Sequence, residues 1–443
     1  MRFALCLTML ALPAQAASLD GASLSLLWNL PFAGMLLSIA LMPLLAPALW
    51  RDHHGTVSVG WALALLVPLA AIYGHAVTWA VVLHVALQEY LPFVLLLLAL
   101  YTVGSGVLLK GHLEGTPATN TALLATGTVL ASVMGTTGAC VLLIRPLLRA
   151  NAHRRHRTHV FVFFIFLVGN IGGALTPIGD PPLYLGFLRG VGFFWPLQHL
   201  FLPFLLCAAT LLVVFHLLDR WHYAREPHPL PPTPDEPPAI AGWVNVGLLL
   251  LIIGVVLMQG AWRPGHVALL GETAAIERLV AMLAFVAITL ASLALTPAGL
   301  RQANGFSWFP IAEVAKLFAA IFLCMTPALL MLQAGASGPF ASLVAATSDA
   351  AGQPVPWVYF WLTGLLSSFL DNAPTYLVFF NLAGGDAAWL MGERGGSGAA
   401  VLMAISCGAV FMGAMTYIGN APDRKSTRLN SSHSTLSRMP SSA

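Results

Sequence analysis

The sequence predicts an all-α polytopic membrane protein made of two inverted repeats, each with a re-entrant helical hairpin and a broken transmembrane helix. Three observations support this fold class. The chain is far more apolar than a soluble domain, apolar runs of membrane-spanning length recur along it, and two short motifs that interrupt those runs each occur twice in the same order. The first two observations identify the solvent, and the third indicates the architecture.

The composition identifies the lipid bilayer as the surroundings of most of the chain. Of 443 residues, 58% are hydrophobic and 8% are charged, whereas soluble domains are about 25% charged. Apolar runs of about 18 to 25 residues recur over almost the whole length, which is the length that an α-helix needs to cross the hydrocarbon core. A β-barrel would show short alternating segments instead.

The composition and motifs also exclude several classes of protein. The net charge of +3 is small and concentrated in loops, which argues against a nucleic-acid partner. No zinc-spaced histidine and glutamate pair, nucleophile elbow or phosphate-binding glycine loop occurs. We therefore predict that the protein is not an enzyme, and that it holds no cofactor and no structural metal. The cysteines lack metal-ligand spacing and are Cys6, Cys140, Cys207, Cys324 and Cys407.

The two ends differ from the rest of the chain. Residues 1–16 combine Arg2, a short apolar stretch and a final Ala-Gln-Ala, which is typical of a signal peptide and places the mature N-terminus outside the cytoplasm. We accordingly predict a multi-pass protein of a bacterial-type inner (plasma) membrane. Residues 423–443 are polar and serine-rich, and we interpret them as a non-native tail, the alternative being a disordered one.

The first repeat is predicted over residues 17–219. Helices are expected at about residues 24–47 and 57–74, joined by a loop with Arg51, His53 and His54. The stretch "AVTWAVVLHVAL" that follows predicts a partial or interfacial helix. A further helix then leads to Lys110.

The basic run "RANAHRRHRTH", residues 149–159, gives the orientation. Short loops rich in Lys and Arg stay in the cytoplasm, and a phosphate or nucleic-acid patch is the alternative interpretation. Lys110 and Arg149 would then lie on the same side, so residues of about 116–149 predict a re-entrant hairpin rather than one crossing. Its tip would be "GTTG", residues 135–138. Irregular backbone at that depth requires cover by protein or a water-filled cavity.

The remaining elements follow from hydropathy and proline content. The i, i+3 spacing of Glu313 and Lys316 favours an interfacial ion pair, the alternative being a functional role within the membrane. The first repeat is predicted to end with a broken helix of about 158–188 and a returning helix of 195–218, followed by a cytoplasmic proline-rich linker of 220–241. The second repeat is predicted over residues 242–422. Its elements are helices at 243–262, 276–295 and from about 309, a re-entrant hairpin of about 355–383, and a truncated broken helix of about 399–422.

An internal repeat carries the functional prediction. "GALTPIGDPP" from Gly173 matches "GAMTYIGNAP" from Gly413, 240 residues later, and "ASVMGTTGACVLL" matches "SSFLDNAPTYLVF" more weakly, with Ser132 opposite Ser368. The first broken helix would run outward and the second inward, so the halves are predicted to be inverted. Inverted repeats with helices interrupted near the midplane are typical of secondary transporters.

The repeated motifs are suited to starting a half-helix within the membrane. An acid or amide precedes a proline in "GDPP", "DNAP" and "GNAP", which suits a capped helix start. A break exposes amide ends that attract anions and carbonyls that attract sodium. The predicted helix-break residues are Gly135, Gly138, Pro177, Gly179, Pro181, Pro374, Gly419 and Pro422.

Two acids stand at the predicted breaks. An ionised carboxylate inside the membrane is costly and is by default a functional group, although Asp180 and Asp371 could each serve only as a helix cap. In the alignment Asp180 faces Asn420, so each half supplies one acid. The predicted cation or proton ligands are Asp180, Asp371, Asn372 and Asn420.

The motifs "TPIGDPP", "SSFLDNAPTYLVFF" and "TYIGNAP" resemble those of the ion transporter superfamily, and most closely its NhaD-type sodium:proton antiporters and related citrate transporters. The resemblance covers residues of about 24–422. It implies a scaffold part and a transport part, a homodimer, an elevator-like motion, and a small ion as substrate. The substrate-binding residues that it implies are Ser132, Thr136, Thr137, Thr176, Ser367, Ser368, Thr375 and Thr416.

Two functions remain open from the sequence. The main hypothesis is a sodium:proton antiporter in which Asp180 and Asp371 exchange sodium for protons. The alternative is a carrier of citrate or another carboxylate, coupled to sodium or protons, with hydroxyl groups and half-helix ends holding the anion. "GTTG" departs from the Ser-Asn-Thr of dicarboxylate carriers, and because the second broken helix stops at Pro422, we expect that the chain as given does not transport.

Overall fold

The computed structural model describes residues 19–111, 113–226 and 239–416. Within them nearly all regular structure is helical, and the strands form two short pairs. The predicted signal peptide, the predicted tail, Gly419, Asn420 and Pro422 lie outside the described residues, as does most of the proline-rich linker.

The described residues include eight helices that are long and apolar enough to cross a membrane, which confirms the predicted all-α polytopic class. Their apolar surfaces face both the protein core and the outside, because the surrounding lipid is as apolar as the core. The eight spans are Leu26–Leu45, Pro47–Tyr73, His75–Gly104, Thr158–Leu175, Trp195–Tyr223, Trp243–Ala261, Ile276–Leu295 and Phe309–Gln333.

The first half runs as far as a long helix that leads towards the linker. Its helices and strand are α1 (Leu30–Leu45), α2 (Pro47–Tyr73), α3 (His75–Val85), α4 (Leu91–Gly104), β1 (Leu108–Lys110), α5 (Pro117–Met134), α6 (Thr136–Ala150), α7 (Thr158–Phe164), α8 (Pro181–Leu188) and α9 (Trp195–Tyr223).

The second half begins with a strand that pairs with β1. Its elements are β2 (Ala239–Ala241), α10 (Trp243–Ala261), β3 (His266–Leu269), β4 (Glu272–Ala275), α11 (Ile276–Leu295), α12 (Ala298–Ala303), α13 (Phe309–Gln333), α14 (Ala341–Ala346), α15 (Pro356–Phe369), α16 (Asn372–Leu382), α17 (Ala387–Leu390) and α18 (Gly398–Met412). Both strand pairs, β1 with β2 and β3 with β4, are antiparallel.

Two sequence predictions about the first half are wrong. Arg51 and its histidine neighbours lie inside α2, which begins at Pro47, rather than in a loop. The segment after α2 is the start of one span of 30 residues, because a π-helical turn, Ala86–Tyr90, joins α3 to α4. Pro92 explains that turn: it has no N–H for the carbonyl of Gln88, which instead accepts a hydrogen bond from Arg278 at 2.9 Å.

A third prediction also fails. Glu313 and Lys316 lie near the start of α13, but no ion pair joins them within the described part of the chain. Their i, i+3 spacing permits contact without enforcing it, because two long side chains lose rotamer entropy when they pair in water.

The helices α5 and α6 fold back on each other as an antiparallel hairpin. Asn120, near the start of α5, and Asn151, just after α6, exchange two amide hydrogen bonds of 2.9 and 2.8 Å. Both side chains are fully buried. The two ends of the hairpin therefore meet, and its bend at Gly135 lies at the far end. The pair α15 and α16 has a comparable bend at residues 370–371.

Candidate functional site

The tips of both hairpins meet the break in the first broken helix. The backbone N–H of Thr136 donates to the carbonyl of Gly179 at 2.9 Å. The Asn372 amide donates to the Asp180 carboxylate, with 3.0 Å between Nδ2 and Oδ2. Residues from three distant parts of the sequence thus form one polar cluster.

Gly135 makes the sharp bend of the first tip. Its φ of +78° lies in the left-handed region that only glycine adopts readily. A Cβ atom at this position would also lie 3.3 Å from the carbonyl oxygen of Ile178. Gly138, one turn later, packs closely against Gly104, where an added Cβ would lie 3.0 Å from the Gly138 Cα. Small residues therefore let the tip approach the unwound segment and α4.

The unwound segment of the first broken helix lies between Leu175 and Pro181, after a π turn (Ile165–Asn170) and a 3₁₀ turn (Ile171–Leu175). Thr176 organises it, because its carbonyl and its Oγ1 both accept hydrogen bonds from the N–H of Gly179, at 3.0 and 3.1 Å. A Cβ on Gly179 would lie 2.2 Å from a backbone oxygen, so glycine is required there.

Each hairpin is bonded to a broken helix through matching hydroxyl groups. In the first half, Ser132 donates to the carbonyl of Gly172 at 2.5 Å, and Thr176 donates back to the carbonyl of Ser132. In the second half, the Ser368 hydroxyl is shared between the carbonyls of Gly364 at 2.8 Å and Met412 at 3.1 Å, and Thr416 donates back to the carbonyl of Ser368. These residues occupy the same positions in the repeated motifs.

Most of the hydroxyl groups predicted to bind substrate donate to backbone carbonyls in this conformation. Ser367 donates to Ala409 at 2.7 Å, and Thr375 donates to Asp371 at 2.9 Å. A hydroxyl has a single hydrogen to donate, so these groups brace the tips, while their remaining lone pairs could still coordinate a cation. Their role towards substrate stays a prediction. The six bracing residues are Ser132, Thr176, Ser367, Ser368, Thr375 and Thr416.

Thr136 and Thr137 differ from those six. Among the described residues, neither of their Oγ1 atoms takes part in a hydrogen bond, and both residues line a cavity of about 40 Å³. Gly135 and Gly138 line the same cavity, and Val314 of α13 closes one side. The N–H groups at the second and third positions of α6 have no acceptor within the helix. The first tip therefore presents hydroxyl and amide donors to the cavity.

The two predicted acids have different surroundings. Asp180 is 3% exposed and accepts from Asn372, and its side chain makes no capping bond to α8. Asp371 caps α16, because its Oδ1 accepts from the N–H of Ala373 at 3.1 Å. The capping role that the sequence left open is thus observed for Asp371. The structure also brings Asp180 next to the first tip: a Cβ on Gly173 would lie 2.8 Å from the Asp180 Cβ and 2.9 Å from the Thr136 Cγ2.

The three described half-helix starts differ in what they can bind. The first helical residues of α8 are Pro181 and Pro182, which have no N–H. The start of α16 is occupied by its own Asp371 cap, with Pro374 as its third residue. The start of α6 has neither an acid nor a proline. Only α6, among these three, combines a positive helix end with amides that an anion could reach.

Asn170 is a site residue that the sequence analysis missed. It ends the π turn, is 1% exposed, and donates to the carbonyl of Ile165 at 3.1 Å. Its Oδ1 faces the second broken helix, since a Cβ on Gly413 would lie 3.4 Å from that oxygen and 3.3 Å from Ser367 Oγ. An isolated amide at the end of the run "FVFFIFLVGN" was the available signal, and π turns often mark functional positions.

The fold and this site define a class of protein, a multi-pass membrane transporter whose helices break where two hairpin tips meet. The chain belongs to the family described as "Putative citrate transport", which matches residues 21–441. This match supports the resemblance to citrate transporters and does not confirm the resemblance to NhaD-type antiporters. No curated protein matches the chain.

Proposed function

We propose that this protein is a secondary active transporter for citrate or a related carboxylate, coupled to sodium ions or protons. The family match favours this function over the sodium:proton antiporter that the sequence placed first. The observation that carries the proposal is the unequal chemistry of the two tips. The first tip offers hydroxyl and amide donors and has no acid, whereas the second tip and the adjoining break contribute Asp371, Asn372 and Asp180.

The first tip suits a carboxylate group. The positive end of α6 and the free amides of its first turn attract an anion, and the hydroxyls of Thr136 and Thr137 can each donate one further hydrogen bond. The cavity of about 40 Å³ has the volume of roughly one water molecule. It is too small for a tricarboxylate, so binding of the whole substrate requires the tip to move away from Val314 and the rest of α13.

Asp180 suits the coupling ion. A buried carboxylate is stable only with a proton, a cation or strong hydrogen bonds, and the Asp180 carboxylate, which accepts from Asn372, offers about four lone-pair positions on its two oxygens. Hard cations prefer such oxygen ligands. Since Asp180 and Thr136 face each other across Gly173, cation and carboxylate would bind side by side and neutralise each other. This proximity provides a mechanism for coupling.

The matched bonds of Ser132 with Thr176 and of Ser368 with Thr416 support the proposed inverted repeat. Each hairpin would then move together with the broken helix to which it is bonded, as alternating access requires. The motion would break contacts with the remaining helices, such as the bond from Arg145 to the carbonyl of Ala303 at 2.6 Å.

Uptake of radiolabelled citrate into proteoliposomes tests the proposal, with an inward sodium gradient, an inward proton gradient, or neither. A parallel sample has residues 423–443 replaced by the corresponding family sequence, because the sequence predicts that the chain as given does not transport. Gradient-driven citrate uptake by that sample is expected. Sodium-driven proton movement without any citrate uptake would instead establish the antiporter.

A further inference from the structure

A second polar cavity lies at the end of the bundle that the basic loop predicts to be cytoplasmic. It has a volume of about 440 Å³ and lies between the loop after α6, the start of α7 and the end of α9. We call it the histidine pocket. Its polar lining is Arg155, His156, His159 and His222, and its apolar lining includes Val162 and Leu218.

The three imidazole rings of the pocket form a stack. The ring centroids of His159 and His222 are 4.6 Å apart with an interplanar angle of 22°. Those of His156 and His222 are 5.4 Å apart at 28°. Rings this close repel one another when they are protonated, so an anion bound beside them would stabilise the charged forms.

The nearby carboxylates are already engaged. Asp219 accepts from Arg154 at 2.5 Å, from His159 at 2.7 Å and from Asn120 at 3.0 Å. Glu226 accepts the backbone N–H groups of Arg155 and His156 at 3.0 and 2.8 Å. Both acids therefore face groups other than the Arg155 side chain.

The Arg155 guanidinium is available to a ligand. It is exposed, and among the described residues it makes no hydrogen bond or ion pair. Around the pocket, the guanidiniums of Arg154, Arg155 and Arg225 outnumber the carboxylates of Asp219 and Glu226. The local field therefore favours an anion.

The apolar part of the lining indicates what kind of anion fits. Val162 is 40% exposed, and Leu217 beside the pocket is 61% exposed on the outer surface of α9. Both α7 and α9 belong to membrane spans. A basic group at the end of such spans, next to an apolar surface, is the arrangement that binds phosphate head groups of lipids.

We propose that the histidine pocket binds a phosphate-bearing anion, held by Arg155 and the stacked histidines. Such an anion can be the head group of an anionic phospholipid or free phosphate. A guanidinium forms paired hydrogen bonds with phosphate oxygens, and an imidazole adds a further donor. Asp219, which bonds to His159 of the pocket, also accepts a hydrogen bond from Asn120 near the start of the first hairpin. The pocket therefore adjoins the end of the hairpin opposite its tip.

The test measures thermal unfolding of the full chain with two probes. The first probe is phosphatidylglycerol, introduced into nanodiscs of phosphatidylcholine, and the second is inorganic phosphate added in detergent at constant ionic strength. Either probe is expected to raise the unfolding midpoint in a saturable way. The apparent affinity is expected to fall about tenfold or more in the Arg155→Gln/His222→Gln variant, through loss of charge-assisted hydrogen bonds.

Arg157→Gln is the matched control, because Arg157 lies in the same loop but does not line the pocket. Stabilisation by the lipid alone would identify a head group, and stabilisation by phosphate would identify the free anion. Equal stabilisation of the wild type and the double variant would overturn the proposal. Arg155→Gln alone keeps the test valid if the double variant folds poorly, since Arg155 is exposed. The result is independent of citrate uptake.

Discussion

Asn372 donates a hydrogen bond to Asp180 although 192 positions of sequence separate them, with 3.0 Å between the two atoms. The donor lies at the tip of the second hairpin, and the acceptor lies at the break of the first broken helix. Neither half of the chain can form this pair alone. The candidate cation site is therefore a property of the assembled fold, and a change at either residue is expected to affect it.

Replacing Asp180 is expected to abolish ion-coupled transport without unfolding the protein. Asp180→Asn keeps the shape and leaves an acceptor for Asn372, but it removes the negative charge that we assign to the coupling ion. The gradient-driven rate of citrate uptake, measured for this and the following variants in the sample with residues 423–443 replaced, should fall about tenfold or more, as for the loss of a charged partner. Asp52→Asn is the control, because Asp52 is exposed and pairs only with Arg51 among the described residues. Unchanged uptake by Asp180→Asn would contradict the assignment.

Two replacements of Asp371 separate its capping role from a role in transport. Asn is as good a helix cap as Asp, so Asp371→Asn should keep the unfolding midpoint of the wild type while losing ion-coupled uptake. Asp371→Ala should in addition lose about 1 kcal/mol of stability. Thermal unfolding and uptake are measured on the same preparations. Normal uptake by Asp371→Asn would show that the residue only caps α16.

Gly135→Ala is expected to lower both stability and uptake. The backbone of Gly135, with φ of 78° and ψ of 149°, costs a residue with a Cβ atom about 1–3 kcal/mol, and that atom would press against the carbonyl of Ile178. Gly247→Ala is the matched control, because a Cβ at Gly247 in α10 meets nothing within 4 Å. There the substitution should stabilise the helix by up to about 1 kcal/mol. Equal unfolding midpoints for the two variants would refute the special role of Gly135.

Thr137→Val and Ser132→Ala should impair different properties. The Thr137 hydroxyl lines the cavity, so its removal should raise the KM for citrate about tenfold, through loss of a hydrogen bond to a charged group, with an unchanged unfolding midpoint. The Ser132 hydroxyl braces the first hairpin, so its removal should lower the midpoint. Concentration-dependent uptake and thermal unfolding distinguish the two effects. A lower midpoint with unchanged KM for Thr137→Val would assign it a structural role instead.

Glu226 should make the loop after α6 sensitive to acid. Burial alone would raise its pKa, but the backbone N–H groups of His156 and Arg155, with Arg154 nearby, hold the pKa of Glu226 below its ordinary value of 4.5. A carboxylate whose pKa is lowered by folding stabilises the folded state when the pH is above the ordinary pKa. This stabilisation is lost as the pH falls through the lowered pKa. The wild type should therefore unfold at a higher temperature than Glu226→Gln at pH 7, and the difference should vanish on acidification. A constant difference at all pH values would exclude this origin.

Local pattern was sufficient to place the breaks. Proline and glycine act on the backbone of their own turn, so "GTTG" and "GDPP" marked the ends of α5 and the start of α8 before any contact was known. The same local reasoning failed ahead of Pro92, where "AVTWAVVLHVAL" predicted a partial or interfacial helix. There the helix continues through a π turn, because Arg278 from a distant helix occupies the carbonyl that the proline leaves free.

Hydropathy and the repeated motifs alone were enough to establish a helical membrane protein with interrupted helices, because burial in lipid and backbone stereochemistry depend on neighbouring residues. The partners of the polar groups required the folded chain. Which helices pack together decides that the Ser132 hydroxyl donates to a carbonyl while Thr137 faces a cavity. It also decides that Asp371 caps a helix while Asp180 accepts from Asn372, and that Asn170 faces the second half. A hydrogen bond acts over about 3 Å, and only tertiary packing brings such distant residues within that range.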